Sequence, residues 1–397
     1  MKMNFDMQAP RRGTDCEKWD GLIRNFGEAA AGDDVIPLWV ADMDFYCAPE
    51  ILSAVRSSLD SGALGYRTLP DSFFAAVSGW MKKRHDLDIP TGWILPVPGV
   101  VSGISDVIGA VTEPGDGVII QTPVYTPFYN VPRNLGRKLM ENPLIESEKD
   151  GVLRYEMDFE HLAALCADPC AKAMILCSPH NPLGRLWTKE ELRRVADICA
   201  ENGVFLISDE IHSDIILGGK TFTPILHAAP QKSGICQLCS PSKSFNTAGM
   251  HAAYMIVPDG EDRAKIRAYR KMRHDPDVSF MANEVICAAY NEAEYYADEL
   301  CAYITGNMDF LTEYLQKHLP RIRLTRPDAT YLLWADLSAY GIEGDALMDR
   351  MLRVGRIAPD PGVWFGEKCT ACLRINAAAP RHMIEEAARR IVRCFEE

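Results

Sequence analysis

The sequence predicts an α/β fold built on a mainly parallel sheet, joined to a smaller α+β lobe. Three observations carry this. Short apolar runs alternate with amphipathic helices through the middle of the chain. The pattern changes after about residue 280, and 397 residues at 47% hydrophobic composition suffice for a large core in two lobes.

Taken in order, "PVPGVVSGISD" runs from an extended Pro-containing segment into a helix through Gly99 and Gly103, and Pro114 and Gly115 stop that helix. "GVIIQT", "AKAMILCS", "GVFLISDE", "ICQLCS" and "AAYMIVP" read as buried strands, apolar at nearly every position because both faces of the sheet are covered. Between them, "TKEELRRVADICAENG" has Thr188 as N-cap, Glu191 three residues later to complete a capping box, and Gly203 as terminator. Beyond residue 280 come a long helical stretch, the strand-like "ATYLLWADLS" and "ACLRINAA", and a terminal amphipathic helix. No repeat or low-complexity linker separates the lobes, so they are expected to pack directly.

The net charge of −13, with no basic run, argues against a nucleic-acid surface or an anionic-membrane patch. A bound phosphate must therefore be held by local groups. The N-terminal stretch lacks the apolar block of a signal peptide, so a cytoplasmic protein with thirteen reduced cysteines is expected. Cys236 and Cys239, and Cys369 and Cys372, have C-x-x-C spacing. Both pairs fall in or near strands, where residues three apart point to opposite faces, so no metal site is expected.

In open α/β sheets, ligands bind beyond the carboxyl ends of the strands, and chemically distinctive residues follow the apolar runs here. Tyr125 follows "GVIIQT" in a loop stiffened by Pro123 and Pro127, placed to cover a planar ring or to pack the core edge. Asn181 follows "MILCS" and has an amide able to donate to a phenolate-type oxygen, although Asn-Pro is also ordinary turn chemistry. Asp209 ends a strand apolar enough to be buried, which is costly unless it faces a cation or several donors. His212, three residues on, is expected to hydrogen-bond in the same cofactor pocket, although a lone histidine is more often structural. Lys243, in "SPSKSFNTAG", sits among hydroxyls after a buried strand rather than on a solvated surface. Free N–H groups at the start of the Gly99–Gly103 helix, those of Val100 and Val101 included, make an anion seat that the hydroxyls of Ser240 and Ser242 can complete. Arg374, between apolar neighbours in "CLRINAAAP", suits bidentate carboxylate recognition or a structural ion pair.

One ligand uses all of these parts: pyridoxal 5′-phosphate, with its phosphate, ring, ring nitrogen, phenolic oxygen and aldehyde. The order Tyr125, Asn181, Asp209, Lys243, Arg374 resembles the fold-type I aminotransferase superfamily over nearly the whole chain. "RRGTDCEKWD", "PLWVADMDF", "GYR", "PGVVSGI", "QTPVYTPF", "SPHNPLGR", "SDEIHSDI", "SPSKSFNTAG" and "LRINAAAP" look like the MalY/PatB-type cystathionine β-lyases, or C–S lyases. The resemblance implies a large cofactor-binding domain over 47–285, with a mainly parallel sheet of the seven-stranded type, and a small domain from 1–46 plus 286–397. It implies a homodimer with shared active sites, in which Tyr66 reaches the cofactor phosphate of the neighbouring subunit, and it puts Trp39 and Asp42 near the substrate entrance. Three departures stand out: "GVWFGEKCTAC" where the family has a glycine-rich segment, "ATYLLW" for "GTY", and His251 where many aminotransferases carry a phosphate-binding arginine.

The expected catalytic set is Lys243, Asp209 and Tyr125, with Arg374, Asn181, Trp39 and Asp42 toward an amino-acid substrate. To serve as base, the Lys243 amine must fall from an ordinary pKa of about 10.4 to roughly 7–8, a shift worth ~4 kcal/mol. Asp209 would keep the ring nitrogen protonated. The same residues serve two reactions: β-elimination from a thioether to thiol, pyruvate and ammonia, and amino transfer to a 2-oxo acid. The subgroup resemblance favours β-elimination; a cofactor-binding protein with a regulatory role is the third reading.

Overall fold

The computed structural model describes residues 3–60, 62–275 and 278–396. Two seven-stranded sheets organise the described residues. In the first, the strands Lys138–Glu141, Gly117–Ile120, Ala171–Cys177, Phe205–Asp209 and Ile235–Cys239 run parallel, and the antiparallel Ala253–Ile256 and then Ile94–Val97 complete the edge. All five apolar runs read from the sequence are strands of this sheet. Their side chains alternate between two cores. Leu206, Ile235 and Cys239 join one hydrophobic cluster, while Ile207, Cys236 and Leu238 join the other, so both faces are covered.

The parallel register has a direct consequence for chemistry. Asp209 stands beside Cys177 on one side and Leu238 on the other, which brings the carboxyl ends of three strands into line. The segments carrying Asn181, Asp209 and Lys243 therefore leave the sheet at the same edge.

The helix Val100–Val111 packs across this sheet. Gly103 permits the approach: a Cβ there would collide with the Leu238 side chain on the strand that leads to Lys243. The Lys189–Glu201 helix starts with the capping box expected of it, Thr188 Oγ1 accepting from Glu191 N while the Glu191 carboxylate accepts from Thr188 N. Gly203, at φ +65°, takes the left-handed position that ends it.

The second sheet is mixed, in the order Ile36–Leu38, Ile357–Pro361, Cys372–Asn376, Leu332–Asp336, Arg323–Thr325, Val152–Glu156 and Ile145–Lys149. It draws strands from the N-terminal segment, from 145–156 and from the C-terminal third. The long helical stretch is two helices, Met281–Glu292 and Glu294–His318, with Ala293 between them. No described helix is long and apolar enough to cross a membrane.

The cysteine pairs behave differently from each other. Cys236 and Cys239 point into separate cores, as strand geometry requires. Cys369 instead lies in a turn before the Cys372–Asn376 strand, its carbonyl accepting from Cys372 N at 3.2 Å, and the Cys372 thiol lowers its pKa. The expected opposition fails there because a turn reverses the chain between the two residues.

Candidate active site

Lys243 occupies the turn after the Ile235–Cys239 strand. Its Nζ lies deep among protein atoms and donates to Ala41 O at 2.7 Å, while part of the side chain still meets solvent. Burial lowers its pKa from 10.5 to about 8; Asp42 and Asp209 oppose the fall and Arg374 adds to it. The amine thus approaches the range a neutral-pH base requires.

Asp209 is buried at the end of its strand, and one carboxylate oxygen accepts from Ile211 N at 3.1 Å. Burial raises its pKa to about 6, partly offset by that hydrogen bond and by Lys243. A cationic partner at its second oxygen would relieve the desolvation. His212 is buried with Nδ1 lacking a hydrogen-bond partner, and burial, reinforced by the charges of Lys243 and Arg374, keeps the ring neutral. Tyr125 feels Arg374, Asp209 and Asp360, which places it in the same cluster.

Arg374 is buried on the Cys372–Asn376 strand and is more fully engaged than its sequence neighbours suggest. Its Nε donates to Asp360 Oδ2 at 2.7 Å, Nη1 to Asn181 Oδ1 at 2.9 Å and Nη2 to Trp39 O at 3.1 Å. The Phe365 ring lies 4.6 Å from the guanidinium carbon. Of the two readings of Arg374, the structure shows the ion pair, in which Asp360 also fixes the guanidinium plane. Because Arg374 takes the Asn181 oxygen, the amide NH2 of Asn181 is left to donate elsewhere.

Trp39 and Asp42 belong to the N-terminal segment that closes over this edge. Trp39 Nε1 donates to Lys18 O, and Asp42 Oδ2 accepts from Arg11 Nη2 at 2.5 Å while Oδ1 is buried without a hydrogen-bond partner. Asn246, at φ +56°, clasps the same segment through Met43 N, Met43 O and Phe45 O. Val100 and Val101 open their helix, and the N–H groups of a helix's first residues have no acceptor within the helix. Ser240 Oγ donates to Ala252 O and accepts from Ser242 N, so its proton is already used; Ser242 is partly exposed. Tyr66 is fully exposed in a stretch without regular structure and stands apart from this cluster.

The three departures take definite forms. The "GVWFG" segment makes a short 3-10 turn whose Trp364 and Phe365 carbonyls accept from Thr126 Oγ1 and Val124 N, locking it to the Tyr125 loop. Ala329 is fully buried and bridges to Ile216. His251 is exposed in the left-handed conformation. Asp360 and Tyr331, whose hydroxyl donates to Ala41 O at 2.8 Å, are site residues that the sequence reading missed. Asp360 had little readable signal, because it lies between Pro359 and Pro361, which argue against a strand. Tyr331 had none beyond a tyrosine just before a core strand.

A profile of the family described as aminotransferase class I and II matches residues 33–391. The chain is 40% identical over 390 residues to cystathionine beta-lyase PatB of Bacillus subtilis, covering 98% of this chain and 99% of that protein. It is 34% identical over 385 residues to protein MalY of Escherichia coli, at 96% of each. The crystal structure of cystalysin from Treponema denticola, which contains pyridoxal 5′-phosphate, superposes with a TM-score of 0.94 at 34% identity over 99% of both chains. By the profile match over most of its length and its identity to these relatives, the chain belongs to the aminotransferase class I and II family.

Proposed function

We propose that this protein is a pyridoxal 5′-phosphate-dependent carbon–sulfur β-lyase that cleaves cystathionine or S-substituted cysteines to a thiol, pyruvate and ammonia. The observation that carries the reading is the Lys243 amine, lowered to about 8 by burial and set in one cluster with the buried Asp209 and Arg374. The residues fit the cofactor: Lys243 for its aldehyde, the free NH2 of Asn181 for its phenolic oxygen, Asp209 for its ring nitrogen, Tyr125 beside the ring, and the helix start at Val100 and Val101 for its phosphate. When bound, the cofactor supplies an electrophilic aldehyde and a pyridinium that draws electron density from the substrate Cα.

The protein's own residues divide the remaining work. Arg374, its plane fixed by Asp360, binds the substrate α-carboxylate, and Asn181 holds that arginine in register. The neutral Lys243 Nζ takes the Cα proton. The Cβ–S bond then breaks with its electron pair leaving on sulfur, which is protonated to the thiol, and water completes the conversion to pyruvate and ammonia. Asp209, as a buried carboxylate, holds the ring-nitrogen proton, a charged hydrogen bond contributing roughly 1.5–3 kcal/mol. The neutral His212 ring adds no competing positive charge.

Amino transfer uses the same groups, and the choice of lyase rests on the relatives whose names are cystathionine beta-lyases. The reading includes a reducing compartment, in keeping with thirteen free thiols, and a homodimer in which the exposed Tyr66 serves the neighbouring site. Pyruvate release from cystathionine and from an S-alkyl cysteine, with and without an added 2-oxo acid, tests it. Pyruvate without acceptor supports the lyase. Product that depends on the acceptor overturns it in favour of an aminotransferase, and no product with either overturns catalysis.

A further inference from the structure

Lys243 sits between two clasps, and only one of them joins the N-terminal segment. On that side Asn246 grips Met43 and Phe45. On the other, Ser244, fully buried next to Lys243 in the chain, donates Oγ to Asp214 Oδ2 at 3.1 Å. Asp214 is itself buried. Its Oδ1 accepts from Trp80 Nε1 at 3.1 Å and lies 2.9 Å from His85 Nε2, so both oxygens are partnered. Trp80 and His85 lie on the Asp71–His85 helix, and His85, Arg84 and Ser213 line an outer cavity of about 910 Å³.

A fully buried carboxylate is costly, and burial alone would keep this one protonated. The hydrogen bond and charge of His85, with the Arg84 charge and the Ser244 hydroxyl, hold Asp214 below the ordinary carboxylate range instead. The lysine turn is thus tied by a charged acceptor to the C-terminal end of a fifteen-residue helix. A charge-assisted bond of this kind fixes direction more tightly than a neutral one.

We propose that Asp214 is the positioning residue for Lys243: through Ser244 it fixes the path of the lysine turn, and so the aim of Nζ, against the His85 end of the helix. The inference rests on the β-lyase reading, because it assigns what holds the base of that reaction in place. His85, itself buried, lines the outer cavity.

The test compares Ser244→Ala, Asp214→Asn and Ser244→Thr with the unchanged protein, each loaded with pyridoxal 5′-phosphate. Cofactor stoichiometry, kcat and KM are measured separately, together with the pH midpoint at which Lys243 becomes reactive toward the aldehyde. Ser244→Ala and Asp214→Asn are expected to bind one equivalent of cofactor, lose roughly tenfold to a hundredfold in kcat with KM nearly unchanged, and shift the pH midpoint. Ser244→Thr, which keeps the hydroxyl, restores both. Unchanged kcat and midpoint in Ser244→Ala overturn the proposal, and so does a loss explained wholly by a smaller folded fraction. Failure of the unchanged protein to capture the cofactor at Lys243 overturns the β-lyase reading itself, which is a different result.

Discussion

At Lys243 the decisive quantity is the cost of charge in a buried place. An ordinary lysine amine is almost wholly protonated at neutral pH, whereas this one is brought from 10.5 to about 8, chiefly by burial. Only the neutral amine condenses with an aldehyde. The rate at which the cofactor-free protein captures pyridoxal 5′-phosphate should therefore rise about tenfold per pH unit up to about 8 and then level off, as a stopped-flow pH series will record. A rate still climbing beyond pH 10 would mean that the amine is not depressed. Lys243, Asp209, Asn181 and Arg374 could be read from the sequence because each is a polar residue just after or within an apolar run, where its presence demands a reason. Asp360, set between two prolines, carried no such signal, and its pairing with Arg374 depends on the register of two antiparallel strands. Its removal has a predictable cost. Asp360→Ala leaves a buried guanidinium without its counter-ion and should lower stability by about 3–5 kcal/mol in urea denaturation, with Asp360→Asn losing less.

At the scale of the element, the strands and helices of the first sheet were legible because each has a strong local pattern. The five central strands are apolar at nearly every position, and the Lys189–Glu201 helix announces its start with a capping box. Thr188→Ala should cost about 1 kcal/mol of stability by denaturant titration while leaving turnover per folded molecule unchanged. A change in kcat would show that the cap reaches the site. The second sheet was largely hidden, for identifiable reasons. Ile36–Leu38 and Arg323–Thr325 are three residues long. Ile357–Pro361 contains two prolines, which normally argue against a strand, and Ile145–Lys149 is exposed throughout and carries charge where a half-buried strand would alternate. These strands are recruited by long-range pairing rather than by local preference. Register across the first sheet then performs the step that matters for function, aligning Cys177, Asp209 and Leu238 and with them the turns that follow.

For the whole molecule, the site is assembled from distant parts of the chain: Trp39 and Ala41 from the N-terminal segment, Tyr125 to Lys243 from the first sheet, and Asp360 and Arg374 from the second. The Arg374 bonds to Asn181 and Trp39 tie all three together. Tyr66, fully exposed, is an expected site residue for which the proposed homodimer provides a role at the neighbouring site. Mixing inactive Tyr66→Ala and Lys243→Ala subunits should restore activity, because one site of each mixed dimer then has both residues intact; no recovery would refute shared sites. The central claim, a covalent bond between Lys243 and the cofactor aldehyde, is tested most directly by incubating the protein with pyridoxal 5′-phosphate, reducing with borohydride and mapping the modified peptide. The account predicts one label per chain, on Lys243, and its loss in Lys243→Ala; a label on another lysine, or none, would contradict it.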